Sequence, residues 1–140
     1  MEKYYRLEPE VAGGLGPHTD LDRSVTPPKV RRLEYVFDDW LGDDLVESHP
    51  SFIISKPLAD QLARLPVTGY KLRDVEISMS DNFREMNPGR QLPEFKWFDV
   101  TGSAGKDDFG VEPSGMLVVS EQGLQALQKG NLEHCDISNY

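Results

Sequence analysis

The chain has 140 residues, with 38% hydrophobic and 28% charged side chains, 24 acidic against 15 basic residues, a net charge of −9 and one cysteine. That length suits one compact domain spanning 1–140; the composition excludes a disordered or collagen-like chain, and no apolar run approaches the roughly 20 residues of a membrane span. A phosphate backbone would be repelled by such a surplus of acid, so neither nucleic acid nor membrane is expected as a partner. A single Cys135 permits no internal disulfide and no cysteine-based zinc site. Residues 1–10 lack a signal peptide's apolar stretch, and a cytoplasmic location is expected.

Tyr4, Arg6 and Glu8 predict an opening strand. Residues 12–29, rich in glycine and proline (Gly13, Gly14, Gly16, Pro17, Pro27, Pro28), predict a long loop. Residues 31–37 alternate, with Leu33, Tyr35 and Phe37 on one side, as a half-buried strand does. Between Leu33 and Pro50 the chain holds no Lys or Arg, whereas Glu34, Asp38, Asp39, Asp43, Asp44 and Glu47 all fall there. Phe52-Ile53-Ile54 then predicts a strand buried on both faces, and Ser55 the start of a helix carrying Leu58, Leu62 and Leu65 on one side. Pro66 and Gly69 end it. Strand-like segments follow at Tyr70 and Leu72, at 75–78 and at 94–100. Residues 102–110 predict a glycine-bounded loop.

Leu117-Val118-Val119-Ser120-Glu121 then repeats the first strand-serine-helix word at an offset of 120 − 55 = 65, and Leu124 and Leu127 repeat Ala59 and Leu62. Gly130 and Asn131 end the second helix, and Cys135-Asp136-Ile137-Ser138 echoes 75–78 at a reduced offset of 136 − 76 = 60. The expectation is an α+β fold: a mixed sheet with two short helices in two strand-helix-strand units.

The chemistry is sparse. His18, Asp20 and Asp22 offer an imidazole and two carboxylates that could hold a cation or small ligand within 12–29, although His, Thr and Asp are also ordinary turn residues. Residues 102–107 have a phosphate-binding loop's composition, but the two glycines are three apart and Lys106 precedes Asp107 rather than Ser or Thr. In a strand, His134 and Cys135 point to opposite faces and cannot act as base and nucleophile. No metal, cofactor or catalytic residue is assigned. The acidic run remains, either as a solvated edge in which Phe37 and Trp40 serve the core or as a docking surface in which Asp38, Asp39, Asp43, Asp44 and Glu47 surround Trp40, with Asp107 and Asp108 as a second acidic pair.

Taken together, Phe52-Ile53-Ile54-Ser55-Lys56-Pro57-Leu58, Gly69-Tyr70-Lys71-Leu72, Asp107-Asp108-Phe109, Leu117-Val118-Val119-Ser120-Glu121 and His134-Cys135-Asp136-Ile137 resemble an immunity protein family of bacterial polymorphic toxin systems. The resemblance covers most of residues 30–140. It implies a non-enzymatic inhibitor that binds a cognate toxin, here a basic one. It carries over no individual functional residue.

Overall fold

A computed structural model describes residues 2–140. In chain order the elements are β1 (Tyr4–Glu8), β2 (Gly13–Leu15), β3 (Asp20–Asp22), β4 (Lys29–Arg32), β5 (Glu34–Phe37), β6 (Leu45–Ser48), β7 (Ser51–Ser55), α1 (Lys56–Leu62), β8 (Tyr70–Arg73), β9 (Glu76–Met79), α2 (Asp81–Met86), β10 (Phe95–Val100), β11 (Phe109–Val111), β12 (Leu117–Ser120), α3 (Glu121–Leu127) and β13 (Asp136–Asn139). The class is α+β, as expected. Instead of one mixed sheet there are two four-stranded antiparallel sheets, β11-β12-β1-β13 and β6-β7-β10-β8, a three-stranded mixed sheet β2-β5-β9, and the β3-β4 hairpin. No helix among the described residues is long and apolar enough to cross a membrane.

The two four-stranded sheets are built alike. A hairpin (β6-β7, or β11-β12) feeds a helix whose chain then crosses over an intervening antiparallel strand (β10, or β1) to reach β8 or β13. Ser55 lies opposite Phe95 and Ser120 opposite Tyr4; the first helical amides, of Lys56 and Glu121, donate to the carbonyls of Glu94 and Lys3. The offset of 65 persists beyond the helices, because Arg73 opposite Trp97 corresponds to Ser138 opposite Arg6, and 138 − 73 = 65. The sequence alignment of β13 with 75–78 is therefore corrected. β13 is the counterpart of β8, and β9 belongs to another sheet, paired in parallel with β5.

The serines are the matching joints. Ser55 and Ser120 are fully buried, and each hydroxyl donates at 2.6 Å to an aspartate that precedes its hairpin, Asp44 or Asp108. Ser120 also accepts from the Gly123 amide at 2.9 Å, as a helix cap does, whereas Ser55 makes no such cap bond. Pro57 in the first turn needs no amide acceptor there. The second oxygen of each aspartate reaches across to the opposite half. Asp44 accepts from the Asn131 amide, just past α3, at 2.6 Å, and Asp108 from the Thr68 amide, past α1, at 2.9 Å. Two reciprocal clasps thus tie each half to the loop that follows the other's helix.

Two apolar clusters lie on either side of β6-β7-β10-β8. Leu45, Phe52, Ile54 and Phe98 pack with the leucines of α1 and α3 and with Leu7, Phe109, Leu117 and Val119; Val46, Ile53, Phe95 and Trp97 pack with Tyr35, Phe37 and Phe83. Alternate residues of one strand thus serve different cores, and the uninterrupted run Phe52-Ile53-Ile54 reflects burial on both faces. Each buried Leu, Ile or Phe contributes roughly 1.5–3 kcal/mol of transfer free energy. The exposed ion pairs contribute at most about 1 kcal/mol each.

Several local expectations are corrected. Residues 12–29 are not one loop: they hold β2, β3 and the start of β4, three short strands whose polar and glycine content hides them. Residues 31–37 break at Leu33, whose carbonyl accepts from the Glu76 amide, into β4 and β5 with different partners. Within 102–110, Phe109 and Gly110 belong to β11. The helix α2 has no counterpart in the sequence expectation. It is six residues long with one buried side chain, Phe83, so no apolar period marks it; Ser80 caps it by accepting from the Phe83 amide at 3.1 Å.

Replacing Asp108 by Ala leaves the buried Ser120 hydroxyl and the Thr68 amide without their acceptor. Urea denaturation is expected to show a loss of about 2–3 kcal/mol, and a similar loss for Asp44→Ala. In a Ser120→Ala background the Asp108→Ala loss should shrink by about 1 kcal/mol; equal losses in both backgrounds would contradict the bond.

Candidate functional site

The acidic segment leaves β5 at Phe37 and enters β6, in another sheet, at Leu45, held by hydrogen bonds along its length. The amides of Asp38 and Asp39 donate to the Ala12 carbonyl at 2.8 and 3.1 Å, the Leu41 amide donates to Glu10 Oε2 at 2.7 Å, and Trp40 Nε1 donates to the Asp43 carbonyl at 2.9 Å. Trp40 is half-buried. Its ring meets Phe37 and Phe95 edge-on, and the Arg90 guanidinium lies 4.9 Å from the ring centroid. Trp40 is therefore part of the second core's rim, as the solvated-edge alternative has it, rather than the open anchor of the docking alternative.

Most of the eight expected partner-binding residues are engaged inside the molecule. Asp43 is fully buried, accepting from the His134 amide at 2.8 Å through Oδ2 and meeting His134 Nδ1 at 3.0 Å through Oδ1. Asp44 and Asp108 are the interlocking aspartates. Asp107, half-buried, accepts from the Ser103 amide at 2.7 Å. Glu47 is half-buried, and burial, with the charge of Glu8 as a lesser cause, pushes its carboxyl up to about 7. It is a poor fixed negative charge at neutral pH.

Asp38 and Asp39 stay exposed. Each engages its neighbours through Oδ1: Asp38 takes the Ser80 hydroxyl at 2.6 Å, and Asp39 the Trp40 amide at 2.8 Å and Asn87 Nδ2 at 3.3 Å. Beside them stand two apolar side chains that sequence reasoning missed, Val11 at 69% and Leu41 at 59% exposed. Leu41 sits next to Trp40 within the acidic run, which is the only sequence signal for it. Val11, Ala12, Gly13, Gly14, Leu15 and Val36 of the edge strand β2 and its neighbours line an open groove of about 630 Å³ together with Asp38 and Asp39. Gly13 is required there, because a Cβ would collide with the Val36 carbonyl.

No family model matches this chain. The curated proteins yield no match either.

The expected trio His18, Asp20 and Asp22 is not assembled. Asp22 turns to Ser24, accepting its hydroxyl at 2.6 Å, and Asp20 faces solvent. His18 instead meets two glutamates on neighbouring strands, Glu76 Oε2 at 2.8 Å and Glu34 Oε1 at 3.7 Å from Nδ1. Hydrogen bonds from the Ser78 hydroxyl and the His18 amide hold the Glu34 carboxyl below its ordinary pKa, and the Glu76 hydrogen bond raises that of His18. A second group, Glu10, Asp43 and His134, joins the C-terminal segment to the acidic loop. Burial raises the Glu10 pKa, and the bond to Asp43 raises that of His134 against opposing desolvation. Burial pushes the Cys135 thiol up to about 12, so it is held as the thiol at neutral pH.

These shifts set a pH dependence. A His134 pKa raised above the unfolded value of about 6.5 contributes stability that is complete below that pH and lost as pH rises through the folded value. Melting curves of His134→Gln should therefore converge on those of the parent at high pH and fall below them at pH 5.5. Glu47 titrates at about 7 in the fold against an ordinary 4.5, so its contribution is lost between those values as pH rises. Glu47→Gln should raise stability at pH 8 by about 1 kcal/mol, a burial cost discounted for the part of the side chain that water reaches, and leave it unchanged at pH 4.

Proposed function

We propose that this protein is a non-enzymatic inhibitor of the immunity type, docking a basic toxin domain at the face formed by Val11, Asp38, Asp39 and Leu41. The observation that carries the reading is the pairing of two exposed aliphatic side chains with two exposed carboxylates on backbone that is already tied down. An apolar centre supplies desolvated contact, and carboxylates at its rim accelerate encounter with a positive partner. Fixed backbone lowers the ordering cost of association. The net charge of −9 adds long-range attraction in the same sense. The resemblance to immunity proteins agrees with this reading, and in it the encounter takes place in the cytoplasm.

The partner-binding set is accordingly narrowed. Asp43, Asp44 and Asp108 hold the fold together, and changing them would weaken binding only by loosening the scaffold.

The test is co-expression and mixing with the product of the adjacent gene. A complex at micromolar concentration in low salt and rescue of growth are expected; neither a complex nor rescue would overturn the reading. With the complex in hand, Asp38→Asn with Asp39→Asn should slow association several-fold and flatten its salt dependence. Leu41→Ala should instead accelerate dissociation by roughly tenfold or more, the loss of about 1.4 kcal/mol or more expected of a central apolar contact.

A further inference from the structure

We propose that His18, Glu34 and Glu76 form a binding site for a divalent transition-metal ion of the zinc type, open to solvent on the His18 side. The site is independent of the docking face and of the inhibitor reading.

Its construction begins with the parallel pairing of β5 and β9, which sets Glu34 opposite Glu76, so both side chains leave the same face of the sheet. Two like charges directly opposed are destabilising, and here one of them is buried: Glu34 is 4% exposed. Its carboxylate takes the Ser78 hydroxyl on Oε2 at 2.6 Å and the His18 amide on Oε1 at 3.0 Å, both neutral donors. Among the described residues the one ionisable base within ion-pair distance of Glu34 is His18. Arg32 Nη2 stands 3.7 Å from Glu76 Oε1. Two carboxylates and a neutral imidazole carry a charge of −2, which Arg32 at the Glu76 carboxylate reduces to −1, leaving the cluster one positive charge short.

The rest of the loop is arranged around Glu34. The Gly16 amide donates to the Glu34 carbonyl at 2.8 Å, and Thr19 Oγ1 both donates to that carbonyl and accepts the Glu34 amide. A Cβ on residue 16 would collide with the Glu34 carboxylate, so glycine makes room for it. His18 is thereby carried to the glutamates from 58 residues away in sequence from Glu76.

The donor chemistry selects the ion. One imidazole nitrogen and two carboxylate oxygens suit zinc and its neighbours rather than calcium or magnesium, which take oxygen donors in larger number. Tetrahedral ligands at about 2.0–2.2 Å from zinc lie roughly 3.3 Å from one another. His18 Nδ1 lies 2.8 and 3.7 Å from the two glutamate oxygens, and the three donor atoms fall within 4.8 Å of one another. An ion would take the place of the hydrogen bond between His18 Nδ1 and Glu76 Oε2, with the Ser78 hydroxyl orienting the Glu34 carboxylate through its other oxygen. His18 and Glu76 are 58% and 40% exposed, leaving an entry path and a fourth position. The Glu10, Asp43 and His134 group is less accessible: both of its carboxylates are buried, against one of the two here, and both Glu10 oxygens already accept amides, those of Leu41 and Asp43.

The test is calorimetric titration of Zn²⁺ into the full chain after chelator treatment, with the three histidine rings followed by NMR. One ion per chain, a saturable shift of the His18 ring alone and a rise in Tm are expected. His18→Ala and Glu76→Gln, both at accessible positions, should each weaken binding at least tenfold. Absence of binding at tens of micromolar zinc would overturn the proposal. So would affinity unchanged in His18→Ala, or a shift of the His134 or His49 ring in place of His18.

Discussion

The buried serine hydroxyl donating to a carboxylate at the head of its own hairpin is the constraint on which the fold turns. A hydroxyl removed from water without a partner costs about 1–3 kcal/mol. Ser55 and Ser120 sit at that risk between strand and helix, where backbone direction changes and water is excluded. An aspartate 11 or 12 residues upstream answers each, and its other oxygen is then free to take an amide from the opposite half. The same two atoms close a hairpin and join the halves. α2 repeats the motif in smaller form, with Ser80 donating to Asp38 while capping its helix.

This constraint decides which acids remain exposed. A chain with a surplus of nine negative charges presents a strongly acidic sequence, yet Asp44 and Asp108, at the starts of α1 and α3, are turned inward and serve as acceptors. Their neighbours Asp38 and Asp39 sit where the chain runs along the outside of the second core, pinned by Ala12 and by the half-buried Trp40. Residues 38–41 are tied to residues 10–12, and Val11 and Leu41 within those segments are exposed. The exposure of Asp38 and Asp39, on which the proposed docking face rests, thus follows from how the loop is anchored rather than from local acid density.

The sequence made the parts with strong local signals legible. Uninterrupted runs at Phe52-Ile53-Ile54 and Leu117-Val118-Val119, serine followed by leucines at helical spacing, and glycine or proline stops located α1 and α3 with their flanking strands. The repetition at 65 residues was visible too, although alignment on the word at Val75 misled the partner of β13. Register settles that point, because Arg73 and Ser138 occupy the same slot beside the intervening strand. Short strands built from Gly, Asp and Arg, such as β2, β3 and β4, carry no apolar alternation and were hidden in an apparent loop. The acidic run was legible as composition but not as geometry. Nothing local distinguishes Asp38, which reaches solvent, from Asp43, which is sealed against His134 by a contact 91 residues distant. The approach of His18 to Glu34 and Glu76 likewise depends on a parallel pairing that no spacing announces.

The central claim, that each half's aspartate holds the loop after the other half's helix, is tested most directly by native-state hydrogen exchange on single variants. In Asp44→Asn, whose neutral amide retains the shape but weakens the acceptor, faster exchange is expected at the Asn131 amide, 87 residues away, with Thr68 unaffected; in Asp108→Asn the pattern should reverse. Exchange that rises only beside the substituted residue, or equally at both loops in both variants, would contradict the account.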